Sequence, residues 1–302
     1  MRRFVTWIGL LFIFAGIYLG RQELVEYTFE LLRGETNISL DYKNEYTRDY
    51  NYGFIKITDN FNVTSEKELL NVYYTILNSG IDEFSFYCNN EYIECINDVI
   101  YMNDNQEYVS SLNSFVHPYN SFKSIQTSYD QLGKITLKIT KSYTQEQIDH
   151  IEEKVQELID TKIKNTTNQR EIIKIVHDHI IETTKYDSDR SDHNIIKYAS
   201  NIAYGTFLEG YAVCGGYTDA MAILLDRYNI PNISVTSEEH IWNGVFIDNK
   251  WLHLDLTWDD PIVSNGSDML DYTYFLISTE ELHKQEQIQH NFSKDIFKEF
   301  VN

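Results

Sequence analysis

Proline is scarce in this chain, with 3 among 302 residues, and glycine (13) and cysteine (3) are few. So little Pro and Gly excludes collagen-like repeats and Pro/Gly-rich disorder. Three cysteines are too few for a disulfide scaffold. Positive charge is also short, since 25 Lys and Arg face 46 Asp and Glu for a net charge of −21. Such a surface repels phosphate backbones, so nucleic acid is not an expected partner. No internal repeat or low-complexity tract is present. Aromatic residues, by contrast, are plentiful: 23 Tyr, 16 Phe and 4 Trp. They argue for packed structure despite the charge. The chain is long enough to bury a core, and two domains are expected at roughly 150 residues each.

The one long apolar run is Phe4 to Gly20, 17 residues without a charge, preceded by Arg2 and Arg3. As a helix it would reach about 25 Å, the short end of a membrane span. The basic flank favours the cytoplasmic side, and no Ala-x-Ala cleavage signal follows. The expectation is an uncleaved single-pass anchor over residues 1–21, with the rest of the chain outside the cell membrane. Residues 22–45 read as a stalk, 46–143 as a small α+β accessory domain and 144–302 as a second domain. Cys88 and Cys95 lie close enough for a local bridge in an oxidising exterior, and two buried thiols are the alternative.

In the accessory region, Thr64 or Ser65 can cap a helix that ends at Asn78-Ser79-Gly80. A strand over Phe84 to Cys88 and a helix over 91–101 follow. Two strands, 121–129 and 134–140, are joined through Asp130 to Gly133. His117 reads as a structural loop histidine. In the second region Thr144 and Gln147 form a capping-box pattern before a stripe of Ile148, Ile151, Val155 and Leu158. A helix over 170–184 carries His177 and His179. Their i, i+2 spacing does not suit a zinc pair on one helix face, so both are read as structural or surface residues. A last helix is expected over 279–289.

Residues 200–261 carry the chemistry. Cys214 and Gly215-Gly216 open the helical pattern TDAMAILLDRY, which places the sulfur at a helix N-terminus. Unpaired amides and the positive end of the dipole there favour a thiolate, and the glycines allow another chain to come close. The strand IWNGVFID follows His240, turns at Asp248-Asn249 and returns as KWLHLDLTW. With a two-residue turn Ile247 pairs with Lys250, so Asp255 lies opposite Trp242 and diagonal to His240 on one face. A carboxylate there can fix the His240 tautomer and leave the other ring nitrogen for the thiol. His253 shares that face and is the competing histidine. Leu252, Leu254 and Leu256 make the core face, and the opposite face reads as a cleft or as exposed. Asp259 and Asp260 are far too few for a calcium cage and read as structural.

Three ordered stretches, AYGTFLEGYAVCGGYTDA around Cys214, HIWNGVFIDNKW from His240 and LHLDLTWDDP around Asp255, resemble the bacterial branch of the transglutaminase-like superfamily. KYD at 185–187 and YFLIS at 274–278 resemble its flanks. Ile241 stands where many relatives have alanine, and Asn249 where glycine is common. The resemblance implies an α+β, papain-like transglutaminase core over 144–302, with helices packed on an antiparallel sheet. It implies Cys214 as nucleophile, His240 as base and Asp255 as orienter. The Cys214 amide and either Tyr204 or Trp242 are expected to meet the oxyanion. No metal or organic cofactor is required. The expected substrate is a protein or peptide, including cell-wall peptide, with hydrolysis favoured over transglutamination. The alternative is an inactive envelope module that binds peptide or wall polymer.

Overall fold

The computed structural model describes residue 20 and residues 38–261, 270–285 and 288–301. The expected anchor (except Gly20) and the stalk as far as residue 37 lie outside the described residues. Among the described residues no helix is long and apolar enough to cross a membrane.

The first region has strands β1 (Asn62–Val63), β2 (Glu83–Cys88), β3 (Phe122–Tyr129) and β4 (Lys134–Lys141). They form one sheet in the order β1-β2-β4-β3. Helix α1 (Glu66–Ser79) is capped by Ser65, whose side chain accepts from Glu68 N–H, and ends at Gly80 in the left-handed conformation. The expected helix over 91–101 begins later, as α2 (Cys95–Asp104), and is followed by α3 (Gln106–Ser110). The Cys88–Cys95 disulfide, with Cα atoms 5.9 Å apart, ties the first residue of α2 to the last of β2. Cys214 is the free cysteine.

In the second region α4 (Gln145–Leu158) has the expected capping box between Thr144 and Gln147. Helices α5 (Gln169–Thr183) and α6 (Ser188–His193) follow. The short parallel strands β5 (Lys185–Tyr186) and β6 (Tyr211–Ala212) lead to α7 (Cys214–Arg227). Strands β7 (Asn232–Thr236), β8 (Ile241–Ile247) and β9 (Lys250–Leu254) form an antiparallel sheet. The last helix, α8 (Thr279–Lys284), stops short of the expected residue 289.

Two apolar clusters place the site. Helix α7 packs on one face of the β7–β9 sheet, and α4 and α5 join the same cluster, which includes Ile151, Val155, Ile173, Val176, Met221, Leu224, Val245, Leu252 and Leu254. The opposite face brings Ile233, Val235 and Trp242 into one cluster with residues of the first region and with Tyr274, Phe297 and Phe300. Each fully buried Leu, Ile or Val contributes about 1.5–3 kcal/mol, and this sheet is covered on both faces. The face of His253 and Asp255 is therefore neither an open cleft nor exposed. The C-terminal segment lies over it: His253 and Ile277 exchange backbone hydrogen bonds of 2.8 and 2.9 Å, and Phe300 stacks on the His253 ring at 4.1 Å.

Candidate active site

Cys214 is the first residue of α7. Its backbone is held from the flank. Val213 N–H donates to Ser200 O at 2.8 Å, and Asp187 N–H donates to Ala212 O at 2.9 Å. Ser200 Oγ donates to Asp187 Oδ2 at 2.6 Å. The 199–201 backbone presses on the helix start so closely that a Cβ on Gly216 would stand 2.4 Å from Ser200 O, and one on Gly215 2.8 Å from Asn201 O. Two glycines after the cysteine are thus required by sterics. The β5–β6 register puts Tyr186 beside Ala212, two residues before the cysteine. The Tyr186 hydroxyl donates to Ser191 Oγ at 3.2 Å. Burial raises its pKa, and the nearby Cys214 charge adds to the shift.

His240 and Asp255 meet across the hairpin as its register requires. Ile247 pairs with Lys250 and Asn243 with Leu254. Asp248 and Asn249 both have positive φ, 54° and 61°, as a two-residue turn with both central residues left-handed requires. β9 ends at Leu254, earlier than the expected strand, because Asp255 starts a turn. Its Oδ1 accepts from Thr257 N–H at 3.0 Å and from Trp258 N–H at 3.2 Å. Its Oδ2 lies 2.6 Å from His240 Nε2, with both side chains buried. That contact leaves Nδ1 as the other nitrogen, and the Cys214 thiol is near enough to the His240 ring to raise its pKa. Burial works against the imidazolium, yet the Asp255 charge, its hydrogen bond and the thiol hold the His240 pKa well above the ordinary value. For Asp255, burial alone would raise the pKa, but the two histidines that bond it hold it below the usual carboxylate range.

The second of those histidines is His290, unmarked by any feature of the sequence. Its Nε2 stands 2.8 Å from the same Asp255 Oδ2. No period or motif singles it out, because it lies 35 residues beyond Asp255 in a short turn of 3-10 helix.

The other residues singled out in the sequence surround this core. Trp242 does not serve as an oxyanion donor. Its indole N–H donates to His253 Nδ1 at 3.0 Å, and its ring stacks on His240 at 5.6 Å and 18°. It is a wall for the base. Tyr204 packs with the second apolar cluster, its ring 6.4 Å from that of His150 on α4. His253 is buried, and burial lowers its pKa to about 3. With Nδ1 accepting from Trp242, its proton sits on Nε2, 3.1 Å from Thr279 Oγ1. That leaves it no role as a base. His177 is buried, 3.2 Å from Asp259 Oδ2. Asp259 also accepts from Tyr274 N–H at 2.8 Å, so both are structural as expected. Asp260 accepts from the Tyr217 hydroxyl.

His240, Asp255 and His290 are also the group among the described residues whose ligand atoms, all within 4.8 Å of one another, come nearest to a metal site. Two atoms bound to one zinc at 2.0–2.1 Å stand about 3.3 Å apart in a tetrahedron. The N–O separations here, 2.6 and 2.8 Å, are hydrogen bonds instead. The second carboxylate oxygen is already taken by two amides.

No family model matches the chain, and no curated protein does. Among solved structures it is similar to a TGase, with a TM-score of 0.35 and 13% identity over 51% of this chain and 48% of that one. It is also similar to a candidate cysteine protease from Cytophaga hutchinsonii, with a TM-score of 0.27 and 13% identity over 44% of this chain and 61% of that one. The chain thus spans about half and about three-fifths of the lengths of these two proteins.

Proposed function

We propose that this protein is an extracytoplasmic cysteine-dependent acyl-transfer enzyme that acts on peptide or glutamine amide bonds, with hydrolysis favoured. The observation that carries the reading is the buried 2.6 Å contact between His240 and Asp255, on a ring whose pKa is raised further by a thiol at the start of a helix. A raised imidazole pKa and a helix N-terminus both favour the thiolate–imidazolium pair. The Cys214 thiolate attacks the carbonyl carbon. Protonated His240 gives its proton to the leaving nitrogen as the C–N bond breaks, and an acyl-thioester remains. His240 then takes a proton from water, the resulting hydroxide attacks the thioester, and the C–S bond breaks to restore the thiolate. Asp255 stays ionised throughout and holds the ring. The Cys214 backbone N–H, without an intrahelical partner at the first helical position, faces the developing oxyanion. Water as acceptor is favoured because a transamidating site must exclude it.

The membrane anchor over residues 1–21 and the exterior location belong to the same proposal. They are supported by the charge-free run behind Arg2 and Arg3 and by the Cys88–Cys95 disulfide, since structural disulfides persist in oxidising compartments.

The test uses a peptidyl acyloxymethyl ketone, which needs a working thiolate–imidazole pair. The parent protein is expected to take one label on Cys214, and His240→Ala, which keeps the thiol, to label at least about 10²-fold more slowly. Equal labelling of the two overturns the reading. Ammonia release from a glutamine peptide with a fluorescent amine present, without incorporation of that amine, marks hydrolysis. Incorporation marks transamidation. Absence of label and turnover leaves a binding module.

A further inference from the structure

The Asp255 carboxylate accepts four hydrogen bonds: two backbone amides on Oδ1, and His240 and His290 on Oδ2. An acyl-transfer triad needs the His240 bond alone. His290 is held there by ring contacts with Trp242 at 5.0 Å, Tyr274 at 4.9 Å and Trp258 at 5.6 Å. Its Nδ1 is buried without a partner. A ring needed only to fill this aromatic cage would be better as phenylalanine, which strands no nitrogen. The nitrogen that does bond points at the carboxylate behind the base.

We infer that His290 is a positioning residue: its Nε2–H fixes the carboxylate that orients His240. The inference rests on the acyl-transfer reading above. With Oδ2 shared between two N–H donors and Oδ1 tied to the turn, the carboxylate cannot rotate away from the His240 ring. The same hydrogen bond to a charged acceptor helps keep Asp255 ionised in acid. The other titratable groups around the carboxylate are Cys214 from α7, His240 at the head of β8, His253 from β9, Asp259 from the following turn, and Tyr274. His283 of α8 acts on His253. Without His290, Asp255 takes up its proton at higher pH, and the thiolate–imidazolium pair is lost from the acid side first.

The experiment follows alkylation of Cys214, the free thiol, by iodoacetamide from pH 4 to 9. His290→Phe fills the cage and removes the donor, while His290→Gln places an amide N–H where Nε2 stands. On the acid limb, alkylation of His290→Phe is expected to be about tenfold slower than in the parent, the effect of one hydrogen bond to a charge, with that limb moved up by about one pH unit. His290→Gln is expected within about threefold of the parent. A purely structural ring predicts the reverse order, with Gln worse than Phe, and that result overturns the inference, as does a His290→Phe profile that matches the parent. One readout needs no variant: the His290 Nε2 resonance is expected to shift when Cys214 is alkylated, because both rings share one oxygen, and an unmoved signal overturns the inference. If the parent thiol alkylates only near pH 8.5, like a free cysteine, the triad reading itself fails. A parent reactive at pH 5 with His290→Phe unchanged removes only the role of His290.

Discussion

Two inward-facing carboxylates on the second region each have a histidine as neighbour, and the two histidines are driven in opposite directions. At Asp255, two imidazoles bond the acid, a thiol lies near the first of them, and the His240 pKa is raised. At Asp226, near the far end of α7, Arg48 Nη2 lies 2.7 Å from Oδ2, and Asn232 Nδ2 donates to Oδ1 at 2.9 Å. His117 Nε2 stands 3.6 Å from the same Oδ2. Burial lowers the His117 pKa to about 4; the Asp226 charge works against this, and the Arg48 and Arg227 charges work with it. Its Nδ1 accepts from Tyr119 N–H at 3.1 Å, which fixes the neutral tautomer. A histidine beside a buried acid is therefore no sign of a base. Where a guanidinium has already neutralised the carboxylate, the imidazole stays uncharged. Where the only other candidate for negative charge is a thiol, the imidazole takes the proton.

The contrast is broken most severely at Asp255. Asp255→Asn keeps the shape but removes the charge that holds the His240 proton, and turnover of a peptide amide is expected to fall by about 10³–10⁴-fold. Urea unfolding in the same variant checks that the loss is catalytic. Arg48→Met attacks the other acid. Removing one partner of a largely buried ion pair costs about 3–5 kcal/mol, to be seen as a lower urea midpoint, while the pH profile of Cys214 alkylation stays that of the parent. The third measurement is the titration itself. An unfolded histidine takes its proton below about pH 6.5 and folded His117 only below about 4, so the unfolded chain binds more protons in that window. Relative to His117→Gln, the parent is expected to lose up to about 1.4 kcal/mol per pH unit as pH falls between those values. A flat difference would show that His117 is charged in the fold. The smallest effect belongs to Trp242→Phe, which keeps the stack on His240 and removes the N–H. Less than tenfold loss of activity is expected, against about 10²–10³-fold for a true oxyanion donor.

Legibility followed sequence distance. The pairing of His240 with Asp255 was readable because a two-residue turn fixes a hairpin register, and Asn243 opposite Leu254 continues the count that puts Asp255 opposite Trp242. Cys214 at a helix start was readable from the two glycines and the periodicity after them. The capping residues Ser65 and Thr144 were readable because a cap is a local hydrogen bond. What could not be read depended on contacts that no local pattern encodes. His290 reaches Asp255 only because the C-terminal segment folds back over the sheet, and the same fold-back gives Trp242 its buried setting. The Asp226 junction joins Arg48 and His117 from two distant stretches of chain, with Asn232 six residues on.

Helix α7 carries Cys214 as its first residue and Asp226 as its last but one. Its fourteen residues rise about 20 Å between a reacting tip and a foot socketed into Arg48 and His117. The segment that bears the three chemical groups is thus no portable cassette. Cut free of residues 38–143, the rod would keep its sulfur but lose its footing in Arg48 and His117.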